Sequence, residues 1–241
     1  MLKTTIIFAL ILLLYSCKFF KDTEHDYNIK SKFNADNIVF NTNTKFYYSN
    51  CRIKGLDTIP SIFINFQKDT LLVKNEILTV IPGKFLGQTK MKWELTDFND
   101  SIILKSFSGI VEDINGVWIH PIRDGFPFIY SESAPFPEIK FPIENNLSWK
   151  AGLTGLKGYE KIGLTGTVSF EYNVIGKSDI KTKNIYFKDC WKIESIGKSI
   201  LGTSEHTFYF HEKYGFVYSE YKFPNGEKLI LELIDQKGKA L

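Results

Sequence analysis

The chain is poor in the residues from which catalytic and metal centres are built. Its 241 residues include four histidines, three cysteines and two methionines. His206 and His211 sit on a stretch that reads as a strand, an odd number of residues apart, so they point to opposite faces and lack a third ligand for zinc. His25 and His120 stand alone. HExxH is missing, with any helix to carry it, and so are the GxSxG elbow and the GK[ST] phosphate loop. The carboxylates Glu112, Asp113, Glu132 and Glu138 adjoin turn or proline signals and read as solvated rather than as a pair across a cleft. No catalytic, cofactor-binding or metal residue emerges, and the expectation is a protein that is not an enzyme. No amphipathic helix longer than two turns is evident. The one long apolar run, Ile6 to Tyr15, is too short for a membrane span, which needs about 20 residues. Thirty basic and 27 acidic residues leave a net charge of +3. So small and scattered an excess predicts no nucleic-acid partner.

What the chain has in quantity is β-forming bulk. It is 44% hydrophobic and 15% aromatic, with 21 Phe and 12 Tyr. From about residue 37 it breaks into short pieces rich in Ile, Val, Phe, Tyr and Thr, separated by turn residues. The cleanest is Thr167 to Ile175, where Val168, Phe170, Tyr172 and Val174 alternate with Thr167, Ser169, Glu171 and Asn173, so one face is dry and one wet. Expected strands follow at Asp179–Lys188, Cys190–Ile196, Thr203–His211, Gly215–Phe223 and Glu227–Asp235. In the first half, Ser101–Phe107, Gly109–Ile114 and Val117–Ile122 form a meander. Asn115-Gly116 and Asn225-Gly226 are type I′ hairpin signals. Gly152, Gly155, Gly158, Gly163 and Gly166 read as a bulged hairpin loop. Four prolines, Pro127, Pro135, Pro137 and Pro142, mark residues 124–147 as a crossover loop or sheet edge. So many strands must curl or split. The expected fold is all-β: a large antiparallel sheet curled into an open or closed barrel, with a β-sandwich as the alternative.

The first residues assign a place. Lys3, the apolar run and Leu14-Tyr15-Ser16-Cys17 resemble a bacterial lipobox signal peptide, with Tyr15 departing from the usual small or aliphatic residue. The resemblance implies cleavage before Cys17 and acylation of that cysteine, and two or three acyl chains hold a protein firmly on a bilayer. The expected layout is a signal peptide over residues 1–16, lipidated Cys17 and a tether over 17–36, and a single β domain over 37–241. In one large group of bacteria, acidic residues after the cysteine direct lipoproteins to the cell surface. Lys18-Phe19-Phe20-Lys21 lacks them, which favours an outer-membrane anchor facing the periplasm. Cys51 and Cys190 remain as candidates for a disulfide outside the cytoplasm, or as two buried thiols. Asp57-Thr58-Ile59, Asp69-Thr70-Leu71 and Asp100-Ser101-Ile102 resemble an O-glycosylation pattern of Bacteroidota envelope proteins, although Asp-Ser and Asp-Thr are also ordinary turn chemistry.

Residues 141–235 carry a further resemblance. Phe141-Pro142-Ile143, Trp149, the long strand from Gly166, Cys190, Phe208-Tyr209-Phe210, Gly215-Phe216-Val217 and the apolar strand Leu229–Leu233 are similar to LolA-like and LppX-like envelope carriers. That family implies a strongly curved antiparallel sheet and a hydrophobic cavity, and carries over no catalytic residue. Two functional expectations follow. In one, an anchored, non-enzymatic envelope lipoprotein binds a hydrophobic small molecule or lipid in its curved sheet. In the other, it is an interaction module with a solid core and an exposed aromatic patch, around Phe126–Tyr130 or at Tyr218 and Tyr221, holding an envelope protein partner.

Overall fold

Period-two alternation turns nearly the whole described chain into strands. The computed structural model describes residues 39–54, 57–59, 62–64, 70–85, 88–122, 128–156 and 159–238. The strands are β1 (Lys45–Lys54), β2 (Asp57–Ile59), β3 (Ile62–Ile64), β4 (Thr70–Leu72), β5 (Asn75–Phe85), β6 (Gln88–Thr96), β7 (Ile102–Asp113), β8 (Gly116–Ile119), β9 (Glu138–Lys140), β10 (Ser148–Leu153), β11 (Val168–Lys181), β12 (Tyr186–Ser199), β13 (Gly202–His211), β14 (Gly215–Lys222) and β15 (Glu227–Lys237). Helix among the described residues is confined to two 3₁₀ segments, Phe128–Ser133 and Glu160–Ile162. All described residues fall in one compact unit, Phe33–Leu241.

The architecture is all-β, as expected, and settles as a curved sheet that does not close. Thirteen strands share one sheet, in the order β10-β11-β12-β13-β14-β15-β1-β5-β6-β7-β8-β9, with β2 paired to β1 off that path. β3 and β4 form a separate two-stranded ribbon. The pairing is antiparallel throughout, and β15 returns to lie beside β1. The order is thus a meander wrapped on itself, and its two ends, β9 and β10, are neighbours in sequence. A barrel of this topology would close there. The seam lies open, and the proline-rich stretch predicted as crossover or edge runs through it.

β11 buries Val168, Phe170, Tyr172 and Val174 at 2% exposure or less, in the predicted phase. The strand then runs on. Gly176 (φ +140°) and two register shifts let it bend without stopping. The turn comes at residues 182–185, inside the stretch expected to be one strand from Asp179 to Lys188. There, Tyr186 Oη and the backbone N–H of Asp189 both donate to the Asp179 carboxylate across the hairpin. Ser101–Phe107 and Gly109–Ile114 likewise merge into one strand, β7. Neither Asn-Gly pair makes a type I′ turn. β7 and β8 turn at Ile114-Asn115, with Asp113 opposite Gly116 and the Asp113 carboxylate accepting from Asn115 N–H. Ile114 is β-branched and resists the positive φ that type I′ demands. Gly116 serves another purpose: a Cβ there would lie 2.0 Å from the carbonyl oxygen of Ile139 on β9. In the β14–β15 loop Pro224 precedes Asn225, and Gly226 takes the left-handed position (φ +79°). That is a type I turn followed by a left-handed residue, which proline at the second position favours.

The candidate disulfide does not form. Cys51 on β1 and Cys190 on β12 are both free. β13, β14 and β15 lie between their strands in the sheet, and a disulfide requires Cα atoms within about 7 Å.

Candidate functional site

The interior is built around a strap. Residues 128–137, ahead of β9, lie against the buried face of the sheet as this strap. The strap carries two backbone-rigidifying prolines, Pro135 and Pro137, whose nitrogens need no acceptor. Its carbonyls are met by side chains from the far half of the sheet. Ser204 Oγ donates to Ser133 O at 2.7 Å, Tyr172 Oη to Phe136 O at 3.1 Å, and His206 Nδ1 lies 2.8 Å from Pro135 O. Ser131 Oγ ties the strap to its own start at Ile122 O (2.8 Å). Phe136 packs between Trp118 and His120 on one side and Phe170 on the other, at ring separations of 5.7, 4.7 and 5.7 Å. It thereby bridges the open seam with a side chain.

One apolar cavity lies between strap and sheet among the described residues. The cavity left there measures about 30 Å³ and is walled by Tyr48, Leu78, Trp93, Phe128, Tyr221 and Leu231, among others. That is room for about one water. A cavity of that size is too small for an acyl chain. The expected aromatic patch is not on the surface: Phe128 and Tyr221 are core residues, Tyr130 and Tyr218 are half-buried, and Phe126 lies outside the described residues.

Several titratable groups are sealed in this interior. Glu76 on β5 is 0% exposed, and neither of its carboxyl oxygens has a hydrogen-bond partner. Burial pushes its pKa up to about 8, so it is a neutral acid at physiological pH. It stands opposite Tyr48 on β1. Burial and the nearby carboxyl raise the phenols of Tyr48 and Tyr221 well above their ordinary range. Tyr48 Oη donates to Phe216 O (3.0 Å).

His206 is 0% exposed and stacks on Tyr221 at 3.9 Å and 10°. A carbonyl only accepts, so His206 Nδ1 carries the proton toward Pro135. Its Nε2 has no partner. Burial lowers the ring's pKa to about 3, which keeps it neutral. His211 points the other way and is half-exposed, as strand parity requires.

Asp113 is an exposed turn residue as expected, but the other three carboxylates are not. Glu132 sits in the strap at 2% exposure, its Oε1 3.2 Å from His120 Nε2. Glu138 is buried on β9 beside Lys140. Glu112 accepts the backbone N–H groups of Val39 and Phe40 at 2.8 and 2.9 Å, fixing the chain where it enters the sheet. Glu227 pairs with Arg52 at 2.6 Å in a buried bridge. None of these groups lines the openings of about 740 and 380 Å³, and no cluster of three metal-binding side chains occurs among the described residues. Cys17 and the tether lie outside the described residues, as do the side chains of Thr58 and Thr70. Ser101 is exposed in the β6–β7 turn.

A wider opening lies on the outer face of the sheet, over β10 to β13, with a volume of about 740 Å³. Two registered rows of side chains cross it. Lys150, Glu171, Ile196 and Glu205 are successive cross-strand neighbours, and so are Ser148, Asn173, Glu194 and Thr207. Lys150 pairs with Glu171 (3.1 Å), Lys222 with Glu205 (3.0 Å), and Lys192 with Glu194. The next row brings Lys192, Tyr209 and Tyr218, the two tyrosine rings meeting edge-on at 5.7 Å.

No family model matches the chain. No curated protein matches it at a significant level. Among solved structures, a Bacteroides fragilis NCTC 9343 protein described as exported, with a YmcC-like fold, is similar at a TM-score of 0.47 and 8% identity, covering 82% of this chain and 97% of its own. A Parabacteroides distasonis ATCC 8503 protein described as a lipoprotein is similar at 0.43 and 12%, covering 83% of this chain and 98% of its own. At such identities neither says what this chain does.

Proposed function

We propose that this chain is a non-enzymatic lipoprotein, anchored through Cys17 to the outer membrane on its periplasmic side, which works by binding at its outer surface. The observation that carries this is the small size of the inner cavity. An acyl chain needs far more room than a 30 Å³ cavity, whereas the outer groove has the volume of an ordinary ligand site. The lipobox resemblance supports the anchor. The nine consecutive buried residues from Ser131 to Ile139, through the strap and into β9, support a scaffold that is held rather than opened.

A second reading keeps the curved sheet as a lipid carrier. It is favoured by the apolar lining of the inner cavity, and it requires the strap to leave the sheet. Organic extraction of the purified protein, followed by mass spectrometry, separates the two. Surface binding predicts no stoichiometric non-covalent lipid. Recovery of one lipid per chain would overturn it.

A further inference from the structure

We propose that the groove over β10 to β13 binds a neutral oligosaccharide, with two registered rows of polar side chains on four adjacent strands reading its hydroxyls. This rests on the surface-binding reading above and names the chemistry of the ligand.

The floor of the groove is sheet backbone whose N–H and C=O groups are already used in the ladders between β10, β11, β12 and β13. An added peptide strand could pair only along the free edge of β10 and would find no main-chain partners across the floor, so recognition over the four strands falls to side chains. Those side chains are an amide (Asn173), hydroxyls (Ser148, Thr207), carboxylates (Glu171, Glu194, Glu205) and an ammonium (Lys150). Carboxylates and amides accept or donate in pairs, which suits the adjacent hydroxyls of a sugar ring.

Cross-strand neighbours stand about 5 Å apart, and residues two apart along a strand about 7 Å. The rows therefore repeat at a spacing comparable to one pyranose ring. Tyr209 and Tyr218 lie in the adjoining row, half-buried and packed edge-to-face on each other, and bound the groove on that side.

Charge decides against other ligands. Each of the three carboxylates pairs with a lysine, Lys150, Lys192 or Lys222, and Lys198 also acts on Glu171, which leaves a surplus too small to hold a phosphate polymer. The lone exposed aliphatic wall, Ile196, is too little for an acyl chain. Exposed ion pairs of this kind contribute about 0–1 kcal/mol and yield readily to a ligand.

The test uses the full-length protein in a detergent without a sugar headgroup. Maltotriose, cellotriose, mannotriose and chitotriose are titrated by calorimetry up to millimolar concentration. At least one is expected to bind, with Asn173→Ala and Glu194→Ala each weakening it about tenfold or more. Lys105→Ala, on β7, should leave binding unchanged. Both groove positions are exposed, and circular dichroism confirms that the variants fold. Ser148→Ala, on the sheet edge, provides a third and milder weakening. Absence of heat with all four sugars overturns the proposal. So does binding that survives both Asn173→Ala and Glu194→Ala. Either failure leaves the lipid-extraction result untouched, so loss of the sugar site and loss of the surface-binding reading are distinguishable.

Discussion

Replacing Glu76 by glutamine should stabilise the protein, and the amount can be worked from its burial. In the unfolded chain the carboxyl ionises near its ordinary 4.5, whereas in the fold it holds its proton up to about 8. Below pH 4.5 both states are protonated and the group is neutral to folding. Above it, the unfolded state releases a proton that the fold retains, and stability falls by about 1.4 kcal/mol per pH unit until about pH 8. At pH 7 the accumulated cost is about 3 kcal/mol. A glutamine side chain at this position has nearly the same shape, is equally unpaired, and carries no such cost. For a domain of this size the gain corresponds to about 6–12 °C in Tm. His206 has the opposite sign. Its pKa falls from 6.5 to about 3 in the fold, so stability is lost as pH drops below 6.5. The two slopes cancel between pH 4.5 and 6.5, and only the Glu76 slope remains between 6.5 and 8. Thermal melts followed by circular dichroism should therefore show a wild-type Tm that falls from pH 6.5 to 8, and a Glu76→Gln Tm that is higher and flat there. A Glu76→Gln variant less stable at pH 7, with a wild type that gains stability over the same range, would refute the reasoning.

Other outcomes follow from the same contacts. Ser204→Ala leaves the strap carbonyl of Ser133 without its donor and should cost about 1–3 kcal/mol in denaturant melts. Arg52→Met deprives the buried Glu227 carboxylate of its close partner and should cost about 3–5 kcal/mol, with the double variant Arg52→Met/Glu227→Leu recovering much of it. Phe136→Ala empties the seam and should cost about 3–5 kcal/mol. Non-reducing thiol titration of the unfolded chain should find Cys51 and Cys190 both free. In the fold Cys190 should resist alkylation, because burial and two nearby aspartates push its thiol up to about 12. Cys17→Ser should move the protein from the membrane fraction to the soluble envelope fraction.

The fold was legible where periodicity was strict. Val168, Phe170, Tyr172 and Val174 declared the inner face of β11, and the prolines declared the seam. Hairpin positions were less legible, because Gly176 and Asp189 look like turn residues and act as bulges. The buried acid was readable in principle. Glu76 shares its phase with Leu78 and Val80, so alternation alone places it inside; a preference for solvated glutamates hides it. His206 shares the phase of Phe208 and Phe210 in the same way. The strap was not readable, since nothing local in residues 128–137 says that Ser204, His206 and Tyr172 receive their carbonyls. Nor was the groove, whose rows exist only once four strands are in register.

Native mass spectrometry of the full-length protein, taken from envelope membranes and freed of detergent, tests the packed interior most directly. The account predicts a single species at the mass of the Cys17-acylated polypeptide. A second species heavier by one apolar molecule, present in stoichiometric amount, would contradict it.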